Sequence, residues 1–279
     1  MATWLITGAS SGLGAALARA VLDRGHNAVV TARNPDHLHD LVIAHPDTAL
    51  AVPLEVGDHE QVVAAVAAAT DRFGSVDVLV NNAGHGYRAA VEEASTDEVG
   101  ELFATNFFGP VDLVKEVLPQ MRRRRAGTII NVSSIGAPRS NPASGYYTAT
   151  KAALEGMSDA LNREVAPLGI RVMVLEPGAF RTDFSGRSLA QSETVIDDYA
   201  ETAGRRRKEN DTSHGTQPGD PDRAAQVVLD TVQGEAAPFR LLLGSDAISI
   251  VREELQGRIE EIDAWAHVSR TTDFDGDDA

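Results

Sequence analysis

The chain contains no cysteine. Disulfides, a thiol nucleophile and thiolate-bound metal are thereby excluded. Lysine is almost absent: only Lys115, Lys151 and Lys208 stand among 25 basic residues. Arginine supplies the positive charge, so a lysine kept in such a chain points to a use for its compact ammonium head. No apolar run approaches the ~20 residues of a membrane span. Residues 1–6 are too short for a signal sequence and run straight into a glycine-rich turn. A basic surface is missing as well. The formal net charge is −16, which offers no footprint for nucleic acid and repels an anionic membrane. The eight histidines show no His-Glu-x-x-His or clustered spacing, so no metal site is expected. The expectation is a soluble, cytoplasmic chain that acts on a small molecule.

What is present is a core. At 43% hydrophobic residues over 279 positions, the chain has enough apolar surface for a globular α/β protein. Short apolar runs at Thr3–Thr7, Asn27–Ala32, Ala49–Leu54, Val76–Asn81, Thr128–Ser133, Ile170–Glu176 and Phe239–Leu243 do not alternate with polar residues. That suits parallel strands covered on both faces. Helical patterns fall between them at Gly12–Arg24, Asp58–Phe73, Thr96–Arg123 and Tyr147–Leu168, with a last helix at Ser245–Trp265. The alternation predicts a doubly wound parallel sheet of about seven strands with helices on both faces. We expect one domain over residues 1–279, with a substrate loop at 183–222 and a helical extension at 245–279 whose acidic end, Asp273–Ala279, frays. Arg122–Arg125 is read as favouring the C-terminal dipole of its helix. Arg205-Arg206-Arg207-Lys208, followed by Glu209 and Asp211, is read as a solvated helix face.

Directly after the first strand comes Thr7-Gly8-Ala9-Ser10-Ser11-Gly12-Leu13-Gly14, and a helix opens there. Glycines let the backbone turn tightly, and the free N–H groups of a helix start accept a pyrophosphate. A strand–turn–helix setting of this kind marks a Rossmann-type dinucleotide site. In that fold an acidic residue ending the second strand binds the ribose 2′-hydroxyl. Here Ala32 has no carboxylate and Arg33 follows. A guanidinium suits a 2′-phosphate by charge and by its fork of donors, so the cofactor expected is NADP(H).

Tyr147 and Lys151 stand four apart at the start of a predicted helix and share a face. Tyr146, five before the lysine, does not. Together with Thr7–Gly14, Asn81-Asn82-Ala83-Gly84, Asn106, Ser133-Ser134, Tyr147-Thr148-Ala149-Thr150-Lys151 and Pro177-Gly178, this pair gives the chain its resemblance to the short-chain dehydrogenase/reductase family. The motifs keep that family's order over residues 3–182. The resemblance implies a tetrad of Asn106, Ser134, Tyr147 and Lys151. Tyr147 would exchange the proton, Ser134 would hold the substrate oxygen, and Asn106 would join a water relay to Lys151. Lys151 would hold the nicotinamide ribose and lower the tyrosine pKa from its free value near ~10.

The resemblance further implies cofactor contacts from Gly8, Ser10, Ser11, Gly12, Leu13, Gly14 and Arg33. It adds Glu55 and Val56, where the family usually places aspartate at the Glu55 position. It adds Asn81, Ala83 and Gly84, and also Pro177, Gly178, Phe180 and Thr182. A homo-oligomer, dimer or tetramer, is implied too. Residues 215–221 and Leu243-Gly244-Ser245-Asp246 are similar to bacterial members like 17β-hydroxysteroid dehydrogenases, which labels a branch and not a steroid substrate. Phe184, Leu189, Val195, Ile196 and Tyr199, faced by Tyr87, Ile135 and Pro138, form an apolar lining suited to a bulky hydrophobic ketone or secondary alcohol. His85, after the Asn-Asn-Ala-Gly turn, is a further candidate lining residue. Two alternatives remain at this point: an NADPH-sensing protein without turnover, and an isomerase or dehydratase using the same tyrosine and lysine. A sensor has no need of the serine, tyrosine and lysine together. Dehydratase relatives usually carry a longer C-terminal substrate domain.

Overall fold

The computed structural model describes residues 1–182, 184, 188–208, 215–234 and 236–274. Parts of the expected substrate loop (183, 185–187 and 209–214) and of the acidic end (275–279) lie outside them.

Seven parallel strands form one sheet. They are β1 (Thr3–Ile6), β2 (Asn27–Ala32), β3 (Ala49–Pro53), β4 (Val78–Asn81), β6 (Gly127–Val132), β7 (Ile170–Pro177) and β9 (Arg240–Leu243). Their order is β3-β2-β1-β4-β6-β7-β9. The expected α/β doubly wound architecture is therefore present. Two helices flank one face, α1 (Gly12–Asp23) and α7 (Pro221–Gln233). On the other face lie α3 (His59–Phe73), α5 (Gly109–Arg124) and α6 (Gly145–Val165).

The apolar runs are explained by strand parity. Trp4, Ile6, Val30, Val80 and Ile130 pack toward α1 and α7, whereas Leu5, Val29, Leu79 and Ile129 pack toward α3, α5 and α6. With both faces covered, neither parity is free to be polar. Helix starts follow ordinary capping rules. Asp58 accepts from the N–H groups of Glu60 and Gln61 at α3, and Asp220 accepts from Asp222 and Arg223 at α7, where Pro221 fills the first turn.

The sequence reading missed α7 and the short α2 (His39–Ala44). It also missed a second, two-stranded parallel sheet between β5 (Gly86–Arg88) and β8 (Leu189–Gln191), which anchors the loop after β7. The helix expected over Thr96–Arg123 is broken into α4 (Thr96–Phe103), a π-turn at Ala104–Phe108, and α5. The last helix, α8, runs over Ser245–Ser269. Among the described residues no helix is long and apolar enough to cross a membrane.

Candidate active site

The strand order reverses between β1 and β4, so a crevice opens there at the carboxyl ends of the strands. Two turns line it. The glycine-rich turn leaves β1 with Gly8 at φ +64° and Gly12 at φ +57°, a backbone conformation that side chains with a β-carbon resist. The second turn, after β4, is stitched to the first. Thr7 Oγ1 accepts from the N–H groups of Asn82 (3.0 Å) and Ala83 (2.9 Å). Asn82 Nδ2 donates to the carbonyls of Thr7 (2.8 Å) and Gly8 (3.1 Å). A β-carbon on Gly14 would stand 2.4 Å from that same amide nitrogen. The helix start itself is open: Ser11 at the N-cap of α1 makes no side-chain cap, which leaves orphan N–H donors facing the turn.

Helix α6 is pinned to β6 on three successive turns. Lys151 Nζ donates to the Val132 carbonyl at 2.9 Å. Ser133 Oγ donates to Glu155 at 2.6 Å. Asn131 Nδ2 donates to Ser158 Oγ at 2.8 Å. These bonds set the first turns of α6 over the ends of the strands. Tyr147 and Lys151 are both buried there, with the lysine nitrogen 5.9 Å from the tyrosine ring centre. Ser134 leaves β6 beside them and accepts from the Gly136 N–H at 3.0 Å. A β-carbon on Gly136 would stand 3.3 Å from both Ser134 Oγ and Tyr147 Cε1.

Asn106 sits in the π-turn, fully buried. Such widened turns recur at functional sites because they break the regular ladder. Its amide clasps the backbone of His85, accepting from the N–H (3.0 Å) and donating to the carbonyl (2.9 Å), and it also reaches Thr150. A β-carbon on Gly84 would lie 3.1 Å from Asn106 Oδ1 and 3.5 Å from Lys151 Nζ. All four expected tetrad members thus gather at one place.

Burial governs the protonation here. It lowers Lys151 to about 8, opposed by the nearby Glu155 carboxylate. It raises Tyr147, while the Ser134 hydroxyl and the Arg88 charge pull the other way. In the protein alone the direction is opposite to the one expected from the lysine: desolvation outweighs the Ser134 hydroxyl and the Arg88 charge. At neutral pH the phenol holds its proton.

The expected cofactor residues divide. Gly8, Ser10, Ser11, Gly12, Leu13 and Gly14 form the turn and helix start. Ala83 and Gly84 face it from the second turn. Thr182 lies over it, since a β-carbon on Gly12 would meet the Thr182 side chain at 3.3 Å. Pro177 and Gly178 end β7, where Asp246 of α8 accepts from the Ala179 N–H at 2.7 Å. Phe180 bridges to Gly219. Arg33 is 85% exposed, and its Nε lies 4.0 Å from the Glu55 carboxylate. Val56 is buried against the start of α5.

Asn81 is the exception. Its amide donates to Asn131 Oδ1 (2.8 Å) and the Pro110 carbonyl, inside the core. It shares the parity of Leu79, so its side chain ties β4 to β6 and does not face the crevice. The expected lining also changes. Tyr87 is buried against Tyr146 and Leu102, whereas the Phe184 ring lies 6.0 Å from that of Tyr147. His85 is half-buried, and burial with the charges of Arg33 and Lys151 keeps its imidazole below its ordinary value. The 205–208 run is not wholly a solvated face: Arg207 turns inward and pairs with the buried Glu93.

Comparison with known proteins identifies the family. The profile of the short chain dehydrogenase family matches residues 2–193. The chain belongs to that family. A short-chain dehydrogenase from Streptomyces avermitilis is 43% identical, superposes with a TM-score of 0.91, and is covered completely by 98% of this chain. Oxidoreductase BOA17 of Botryotinia fuckeliana is 37% identical over 95% of this chain and 97% of its own length. A 3-ketodihydrosphingosine reductase of Bacteroides thetaiotaomicron is 37% identical over 86% of this chain and 87% of its own. An alcohol dehydrogenase from Thermococcus sibiricus, solved with 5-hydroxy-NADP, is 28% identical with a TM-score of 0.71 over 87% of this chain and 96% of its own. The protein is thus an oxidoreductase of the short-chain dehydrogenase family, several of whose solved relatives hold nicotinamide cofactors.

This dehydrogenase carries a charged cluster behind its lysine that no sequence spacing announces. Glu155 (α6), Glu176 (β7) and Arg240 (β9) converge, with Arg240 Nε 3.5 Å from each carboxylate. Burial and the charge of Glu155 push Glu176 from the usual 4.5 up to about 7, against the pull of Arg240. A raised acid costs stability as pH rises. Between pH 4.5 and 7 the unfolded chain releases the proton first, and above 7 the penalty is complete. Glu176→Gln should therefore be more stable than the parent at alkaline pH, by on the order of 1–3 kcal/mol. The advantage should shrink on acidification. Thermal unfolding of both proteins across the pH range measures it, and a variant no more stable than the parent in alkali would refute the assignment.

Proposed function

We propose that this short-chain dehydrogenase passes a hydride between NADP(H) and a ketone or secondary alcohol with a bulky apolar body. The carrying observation is the pairing of buried Tyr147 and Lys151 beside Ser134, at the mouth of the β1/β4 crevice. The open start of α1 and the stitched glycine turn fit a pyrophosphate. Lys151 Nζ spends one of its three donors on Val132, which leaves two for a ribose hydroxyl and the region of the phenol. Ser134 orients the substrate oxygen. Tyr147 gives that oxygen its proton during reduction and takes it back during oxidation. When bound, the reduced nicotinamide supplies the hydride. Asn106 fixes the backbone before β5 and borders Lys151, which supports the relay role expected for it.

Arg33 beside the end of β2 supports NADP(H) over NAD(H). Phe184 against Tyr147 supports an apolar substrate, and the reductase relative named above acts, by its name, on a ketone. We read residues 1–279 as one such unit in the cytoplasm. We further propose a homo-oligomer, because α8 leaves Leu255, Ile259, Ile262 and Trp265 exposed along one stripe; light scattering gives the mass. The test of the activity is nicotinamide absorbance with NADPH and a panel of apolar ketones. Decay with several of them is expected, and NADPH binding without any turnover would sink the proposal.

A further inference from the structure

Strand β5 turns its residues to opposite sides. Tyr87 packs into the cluster with Tyr146 and Leu102. Gly86 and Arg88 lie on the other face. A β-carbon on Gly86 would stand 2.7 Å from Leu189 and 3.4 Å from the Phe184 ring, and that ring rests 6.0 Å from Tyr147's. The face that carries Arg88 is thus the face turned to the apolar side of the active site.

Arg88 is half-buried, and its Nε is fully covered without a hydrogen-bond partner. Among the described residues its Nη1 reaches only the Tyr87 carbonyl, at 3.4 Å. No carboxylate among the described residues lies within the 4.0 Å of an ion pair. Arg207 is matched differently: it pairs with Glu93. That carboxylate also accepts from the N–H groups of Ala90 and Ile196, so Glu93 is already occupied. Burial and the like charge of Arg206 depress Arg88, and its charge acts on Tyr147 in turn. A guanidinium withdrawn from water without a counter-charge is costly and selects for an anion.

Resting on the activity proposed above, we propose that the substrate is an amphiphilic keto compound whose anionic group, a carboxylate, is received by Arg88 while its apolar part lies against Phe184. The lining then reads as an apolar wall with one cation set in it. A hydrogen bond to a charged group is worth roughly ten- to a hundredfold in affinity.

The experiment is calorimetric titration of the NADP-loaded protein with benzoylpropionate and with its methyl ester. The acid should bind at least about tenfold more tightly than the ester. Arg88→Gln should erase that preference while ester and NADPH binding stay unchanged. Arg88→Lys, which keeps the charge without the fork, should retain part of it and serves if the glutamine variant does not fold. Equal binding of acid and ester by the parent, no binding of either, or a variant that weakens both alike would overturn the proposal. The last result would make Arg88 a tuner of Tyr147 or a packing residue. Absorbance assays with the same two compounds are read separately. Selective binding of the acid without its reduction would sink the ketone activity and leave the anion site standing.

Discussion

Replacing Tyr147 with phenylalanine is expected to cut turnover by roughly 10²–10⁴-fold, the usual worth of a positioned general acid, while leaving nicotinamide binding within a few-fold. The phenol oxygen is the group the site offers for the proton. Ser134 already accepts from Gly136, and its hydroxyl is a far weaker acid. Tyr146→Phe is the internal control, because its hydroxyl donates to the Val91 carbonyl at 2.9 Å, on the other side of the helix. It should cost little.

The pH profiles carry a second signature. Tyr147 is raised by its burial, so reduction should proceed with the phenol protonated through neutrality and fall only in alkali. Oxidation, which needs the phenolate, should climb in the same range. Lys151, lowered to about 8, loses its ammonium over that range and should weaken cofactor binding there. Rates and affinities measured from neutral to alkaline pH test both statements. Tyr147 and Tyr146 variants that lost activity alike would overturn the assignment.

Cofactor choice is the second large effect expected. Arg33→Ala should weaken NADPH binding by about tenfold and leave NADH nearly unchanged. A hydrogen bond to a charged group is worth about 1.5–3 kcal/mol, or roughly ten- to more than a hundredfold. The lower end applies because Arg33 is largely exposed, and the Glu55 carboxylate 4.0 Å away already draws on its charge. Glu55→Gln should therefore strengthen NADPH binding a few-fold, and this gain should vanish in the Arg33→Ala background. The converse design, an aspartate at position 32 to favour NADH, meets an obstacle: Ala32 is buried, and it packs in the layer between the sheet and α1. Dissociation constants by fluorescence titration decide the matter. A parent that binds NADH as tightly as NADPH would refute the role of Arg33.

Most of the sheet was legible because each strand is buried on both faces, so its apolar run stands out from the amphipathic helices around it. The tyrosine–lysine pair was legible because four residues make one helical turn. Other features leave no such trace. A π-turn at 104–108 adds one residue to a turn without altering the apolar pattern enough to be read. The Glu155–Glu176–Arg240 cluster joins three distant elements. The Asn81 side chain could have been placed from parity with Leu79, but the glycine motif that follows drew the residue into the crevice. Helix α7 was readable from Asp220-Pro221 and the spacing of Ala225, Val228, Leu229 and Val232; the glycine- and proline-rich stretch before it obscured the start. Arg88 sits on a strand of only three residues, too short for any periodicity to show which way it faces.

The packing of α1 against α7 has a consequence for how the protein is made. Arg19 on α1 and Arg24 at its C-cap bond to Asp222 and Asp230 on α7, and Ala225, Val228 and Leu229 cover the same apolar layer as Leu17 and Val21. Asp222 follows Arg19 by 203 residues. At ~5–20 residues per second of synthesis, α1 and one side of β1 and β2 wait about 10–40 s for their cover. Through that interval the nascent chain carries an open apolar face, and a chain truncated before residue 221 is expected to aggregate where the full chain does not.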